Sequence, residues 1–184
     1  SRVPPSPPSL EDLGLSEPFQ RFAAFRSGLV LVSGNRGSGR SCTAGALLQS
    51  VLSQRLAYVS TLQDRIRFLY EGFASPVFQQ ELGTDFDSWE TGFGLVNRRS
   101  PEVILVDEIY GKETAEAVLA WALEGKLVIA TYLGGDVVTA LERLVDMFPI
   151  AERPRRSEEL SLVLRACSAQ RLVPGLDGGR HVAL

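Results

Sequence analysis

Apolar residues follow two distinct rhythms along the chain. Residues 28–33 (GLVLVS), 102–108 (EVILVDE) and 126–132 (KLVIATY) are short, nearly continuous apolar runs, and 56–60 (LAYVS) is a fourth. Runs of this kind suit strands covered on both faces, so they predict a parallel sheet. Elsewhere the apolar positions recur three and four apart. Ala44, Leu47, Leu48, Val51 and Leu52 share one face of residues 41–54. Ala115, Val118, Leu119 and Ala122 do the same in 112–125, and Val137, Leu141, Leu144, Val145 and Phe148 in 135–148. These spacings predict amphipathic helices. Another helix is predicted near 157–167, and Asp177-Gly178-Gly179 between two apolar runs predicts a closing β-hairpin. Strands alternating with helices give a layered α/β fold, a mainly parallel central sheet flanked by helices.

Composition narrows this to one ordinary globular domain. The chain has 184 residues, 45% apolar and 22% charged, enough to bury a core. Residues 1–16 open with SRVPPSPPS and read as a proline-rich linker and approach segment, with the folded domain over 17–184. Both ends read as edges of a longer chain. Nineteen basic against 22 acidic residues leave a formal charge of −3, which gives no positive field for nucleic acid. Cys42 and Cys167 are the two cysteines, and no apolar run approaches the roughly 20 residues of a membrane span, so a reducing cytosol is expected. His181 is the one histidine and lies far from both cysteines in sequence, so no zinc-type spacing exists.

Candidate chemistry begins where the first strand ends. Gly34-Asn35-Arg36-Gly37-Ser38-Gly39-Arg40-Ser41 fits the phosphate-loop pattern G-x-x-x-x-G-K-[ST] at every position but one, where Arg40 replaces lysine. A glycine-rich turn that merely joins strand to helix is the plain alternative, but the strand before and helix after are the context a phosphate loop requires. In that reading the backbone N–H groups of residues 34–42, Cys42 included, surround the phosphates of ATP or ADP, and the Ser41 hydroxyl faces Mg²⁺. Guanidinium is a wide planar fork and ammonium a compact point charge, so Arg40 attracts phosphate but misplaces the γ-group.

The run VILVDE then ends on Asp107 and Glu108. An apolar strand closing on two carboxylates is how a Walker B element serves metal and water. Asp107 is the candidate to support Mg²⁺ indirectly, through its water shell, together with Ser41. Glu108 is the candidate to position or deprotonate the attacking water.

These stretches, taken in order, resemble the PilT/GspE family, the hexameric ATPases of type IV pilus and type II secretion machines. LEDLGL before the loop, the whole of residues 101–132, RLVDMFP at 143–149 and QRLVPGLDGGR at 170–180 are each similar to segments of that family. The resemblance implies a RecA-like P-loop NTPase domain, ATP or ADP with Mg²⁺, and work on an inner-membrane pilus or secretion platform. It also implies a homo-hexamer, or a hetero-assembly with an active PilT-type paralogue. Family members carry a PAS-like domain before this region and helices after it, and no counterpart of either is expected within these residues.

The same resemblance exposes departures. In STLQDRIRF, Gln63 stands where the family has a glutamate, while Asp64 is kept. The two arginines that reach a neighbouring subunit's γ-phosphate fall on Gln80 and Thr84, and the family's histidine-box histidine falls on Leu133. Phosphoryl transfer is catalysed by positioned charge, and one arginine finger contributes about 10³–10⁵ in rate. Two functions follow: an ATP-driven motor subunit for twitching or secretion, or a PilT-like pseudo-ATPase with an assembly or regulatory role. The replaced side chains favour the second. A small-molecule kinase is weaker, because no segment supplies a lid with substrate-binding arginines.

Overall fold

The computed structural model describes residues 6–15, 17–174 and 180–184. Its centre is β1 (Gly28–Gly34), buried along its whole length. β1 lies parallel to β5 (Leu127–Leu133) on one side and to β6 (Leu164–Pro174) on the other. Beyond β5 come β4 (Val103–Val106), β2 (Val59–Gln63) and β3 (Val77–Glu81), each parallel to its neighbour. Beyond β6 lies β7 (Arg180–Ala183), antiparallel. The order is β3-β2-β4-β5-β1-β6-β7, so the three strands read from continuous apolar runs sit side by side as β4-β5-β1.

Successive side chains of a strand point to opposite faces, and here each face has its own core. Leu29 and Leu31 of β1, Ile104 and Val106 of β4, and Val128 and Ala130 of β5 join one cluster. Val30 and Val32, Val103 and Leu105, and Leu127 and Ile129 join the other. That double burial is why these strands lack alternation in sequence. The first cluster is roofed by α3 (Trp89–Arg99), α4 (Lys112–Leu123), α5 (Val137–Asp146) and α6 (Arg153–Val163). Trp121 fills it, and its indole N–H donates to Asn97 Oδ1 at 2.7 Å. The second is covered by α1 (Glu17–Ala23) and α2 (Arg40–Gln54), with Leu10 and Leu15 packed beside Phe19.

The differences from expectation have local causes. The run at 56–60 enters the sheet only at Val59: Leu56 is exposed, and the Ala57 N–H donates to Ser75 Oγ rather than to a strand. The helix placed near 157–167 occupies Arg153–Val163, with proline in its first turn. Leu160, Val163 and Cys167 mimic a helical spacing, but from Leu164 onward burial falls on Ala166, Ser168 and Gln170, the period of a strand. β6 and β7 form the expected hairpin, pairing Pro174 with Arg180, while Asp177-Gly178-Gly179 lie outside the described residues.

Candidate functional site

The carboxyl ends of β1, β4 and β2 open on one side of the sheet, the edge where parallel α/β folds bind ligands. β1 delivers residues 34–39, and Arg40 begins α2 directly behind them. Gly39 caps that helix at φ +88 and Gly37 turns at φ +75, conformations that side chains rarely adopt. The loop is held from below. Gln170 Nε2 donates to the Ser38 carbonyl at 2.7 Å, and a Cβ on Gly34 would stand 2.4 Å from both the Gln170 carbonyl and Ser38 Oγ. Gly34 also accepts from the Gly134 N–H, which ties the loop to the end of β5.

β4 delivers the two acids. Asp107 is 6% exposed, with its N–H donating to the Leu62 carbonyl and its own carbonyl accepting from Thr131 Oγ1. The Ser41 hydroxyl donates to Asp107 Oδ1 at 2.9 Å. Arg67 Nε lies 3.6 Å from Asp107 Oδ2. Burial pushes the Asp107 carboxyl above its ordinary range, against Arg67 and the Ser41 hydrogen bond, which pull it down. Arg40 Nη2 lies 3.3 Å from Glu108 Oε2, and its buried Nη1 has no hydrogen-bond partner among the described residues.

Arg40, Ser41, Arg67 and Glu108 border a cavity of about 780 Å³ that also takes in Arg36, residues 37–39, Cys42, Asp64, Trp89 and Tyr110, with Asp107 behind Ser41 and Arg67. A volume of this order is typical of small-molecule sites. Asn35 borders an adjoining cavity with Arg36 and Arg171 instead. Cys42 is half-buried on the wall, and burial raises its thiol above the ordinary range. Tyr110 packs on Trp89 with ring centroids 5.6 Å apart, and burial with the nearby Glu108 pushes its phenol up to about 12.

The structure therefore brings together Gly34, Arg36 to Cys42, Asp107 and Glu108. Gln63 is turned inward, accepting from Thr61 Oγ1, while Asp64 reaches the cavity. Gln80 is buried and accepts from Ser60 Oγ; Thr84 is exposed. Leu133 is partly exposed at the end of β5. Sequence reasoning missed Arg67, Trp89, Tyr110 and Gln170. Only Arg67 carried a signal, a cation within the stretch that holds Gln63 and Asp64.

The pocket fits a phosphate chain: a backbone cradle at a helix N-terminus, three arginines and an unpartnered guanidinium nitrogen. Ser41 and Asp107 are the oxygen donors Mg²⁺ takes beside phosphates. Arg67 beside Asp107 opposes a second cation there.

Residues 9–181 match the family described as Type II/IV secretion system protein. The chain belongs to that family. Among its relatives, the type IV pilus ATPase PilU of Pseudomonas aeruginosa is 32% identical over 184 residues, 100% of this chain and 48% of PilU. The crystal structure of the pilus retraction motor PilT with bound ADP superposes with a TM-score of 0.94 at 31% identity, covering 99% of this chain and 53% of that one. The ATPase DotB of Legionella pneumophila superposes at 0.90 with 30% identity, covering 98% of this chain and 50% of DotB. The chain spans about half the length of these secretion-family relatives. The fold is that of the PilT and DotB RecA-like ATPase domain. Among the described residues no helix is long and apolar enough to cross a membrane.

Proposed function

We propose that this chain is the nucleotide-binding unit of a type IV pilus or secretion motor subunit that holds ATP or ADP on residues 34–42 and hydrolyses slowly. The Arg40–Glu108 pair carries the reading. The carboxylate positioned to activate water is bound to the loop's own cation, which draws the loop charge away from where a γ-phosphate would stand. Binding is supported by the backbone cradle, by Ser41 beside Asp107, and by the ADP in the PilT structure that this fold matches at 31% identity. Ser41 and Asp107 are oxygen donors of the kind that hold Mg²⁺, Asp107 through water, but the Arg67 guanidinium already places positive charge beside Asp107. The role is then assembly or regulation within a hexameric ring, or beside an active PilT-type paralogue on an inner-membrane platform.

An active motor is the second reading, favoured by the retention of Ser41 and Glu108 on the cavity wall and of Asp107 bonded to Ser41 behind it. Steady-state ATP hydrolysis measured beside a nucleotide titration on the same sample separates the two. Measurable nucleotide binding with turnover far below an active PilT-type motor in the same assay supports the first. Turnover equal to such a motor overturns it.

A further inference from the structure

Arg67 has a position that the phosphate-loop pattern does not account for. It sits on the irregular segment after β2, with its guanidinium beside the buried Asp107 carboxylate and its side chain 51% exposed toward the cavity. The backbone on either side of it is tied down by β3. The Ile66 N–H donates to Glu81 Oε2 at 2.7 Å, and the Phe68 carbonyl accepts from Gln79 Nε2 at 2.7 Å. Tyr70 N–H donates to Gln79 Oε1 as well, so one glutamine clamps the chain at both Phe68 and Tyr70. The cation is thus presented on a pinned loop.

Asp107 shares its oxygens between two partners, Oδ1 with the Ser41 hydroxyl and Oδ2 with Arg67. The Ser41 hydroxyl and the Asp107 carboxylate are the two groups a hydrated divalent ion would engage. A fixed positive charge already faces them, and a second cation at the same place meets repulsion. The cavity border has three arginines, Arg36, Arg40 and Arg67, against the carboxylates of Asp64 and Glu108 on the border and Asp107 behind Arg67, so its acids are matched in number without metal. Guanidinium donates to phosphate oxygens in bidentate fashion, which a displaced loop cation does not do alone.

We infer that Arg67 takes the metal's place beside Asp107, so that this site binds a nucleoside diphosphate without a divalent cation. This rests on the nucleotide-binding reading above. Arg67 acts by charge toward the phosphates and by excluding a second cation from the Ser41–Asp107 pair.

The test is calorimetric titration of the purified chain with ADP, in Mg²⁺ and in EDTA, for the wild type, Arg67→Gln and Arg67→Lys. Wild-type affinity is expected to agree within about threefold between the buffers. Arg67→Gln is expected to lose roughly tenfold or more in EDTA, the scale of one charge-assisted contact, and to recover in Mg²⁺. Arg67→Lys keeps the charge and should stay metal-independent. Electron paramagnetic resonance with Mn²⁺ and ADP gives a second readout: bound manganese should appear in Arg67→Gln and not in the wild type. Wild-type binding in Mg²⁺ alone, or Arg67→Gln behaving as wild type in EDTA, overturns the role of Arg67 and leaves the nucleotide site standing. No binding of ADP by the wild type in either buffer overturns the nucleotide site itself, and the role of Arg67 with it.

Discussion

Arg40 Nη2 stands 3.3 Å from Glu108 Oε2, joining the last cation of the glycine loop to the second acid of the β4 end. Both side chains are largely buried, at 10% and 21% exposure, so water screens the pair only in part. An approaching phosphate must compete with Glu108 for the guanidinium, and a water that needs a base must compete with Arg40 for the carboxylate. One contact thereby lowers both triphosphate affinity and turnover. A neutral fork on Glu108 would not do this, and a shorter, more flexible ammonium would do it less.

Arg40→Lys is accordingly expected to raise ATP affinity by about tenfold, as the ammonium leaves Glu108 for phosphate. Turnover should rise less if Gln80, Thr84 and Leu133 replace the charged and sensing groups that the family resemblance assigns to those positions. Titration of a non-hydrolysable ATP analogue beside steady-state hydrolysis checks both. Equal gains in the two would show that Arg40 alone limits the chemistry.

Asp107 gives a pH signature. Its folded value is raised above the ordinary 3.8, burial being the leading cause, so the folded state binds its proton more readily than the unfolded chain does. Its contribution to stability is therefore full below about pH 4 and is lost as pH rises through the folded value. Relative to Asp107→Asn, which cannot titrate, the wild type should lose stability with rising pH across that window. Urea midpoints of both proteins at several pH values provide the measurement, and a wild type that gains stability relative to Asp107→Asn as pH rises would contradict the direction.

Gly34→Ala should cost about 1–3 kcal/mol, since the new methyl would meet the Gln170 carbonyl and Ser38 Oγ, each at 2.4 Å, and push the loop off β6. Gly37→Ala finds nothing within 4 Å and faces only the strain of φ +75, about 1–2 kcal/mol. Chemical denaturation should therefore rank Gly34→Ala as the more damaging, and the reverse order would remove the packing role given to Gln170.

What could be read from the sequence follows burial. β1, β4 and β5 are covered on both faces, so their apolar runs announce them, and α2 and α4 show their buried face as a clean spacing. β3 was not legible because it is an edge strand reading VFQQE, with Gln79 and Glu81 spent on clamping the neighbouring loop. α3 was hidden by two internal glycines, of which Gly92 lies against Phe86 and Leu62. The loop and the two acids were legible because each is a compact local pattern. Gln170 was not, since its bond to Ser38 spans 132 residues and a glutamine in a strand carries no mark of its target.

The two positions matched to the family's trans arginines divide in this structure, and that gives the last test. Gln80 is 4% exposed within β3 and accepts from Ser60 Oγ, so a guanidinium there would be buried against a hydroxyl in place of the amide. Burying an unpaired charge is among the costliest single changes, and Gln80→Arg should lose roughly 3–5 kcal/mol or fail to fold. Thr84 is exposed in the turn that follows β3, where its N–H donates to the Glu81 carbonyl, a bond any residue but proline can make. Thr84→Arg should stay within about 0.5 kcal/mol of the wild type in urea denaturation. If subunits assemble with this turn facing a neighbour's loop, Thr84→Arg added to Arg40→Lys should increase hydrolysis in a concentration-dependent way, because the arginine acts across subunits. A gain independent of protein concentration would place its effect within one chain, and a stable, fully folded Gln80→Arg would show that β3 presents that position outward after all.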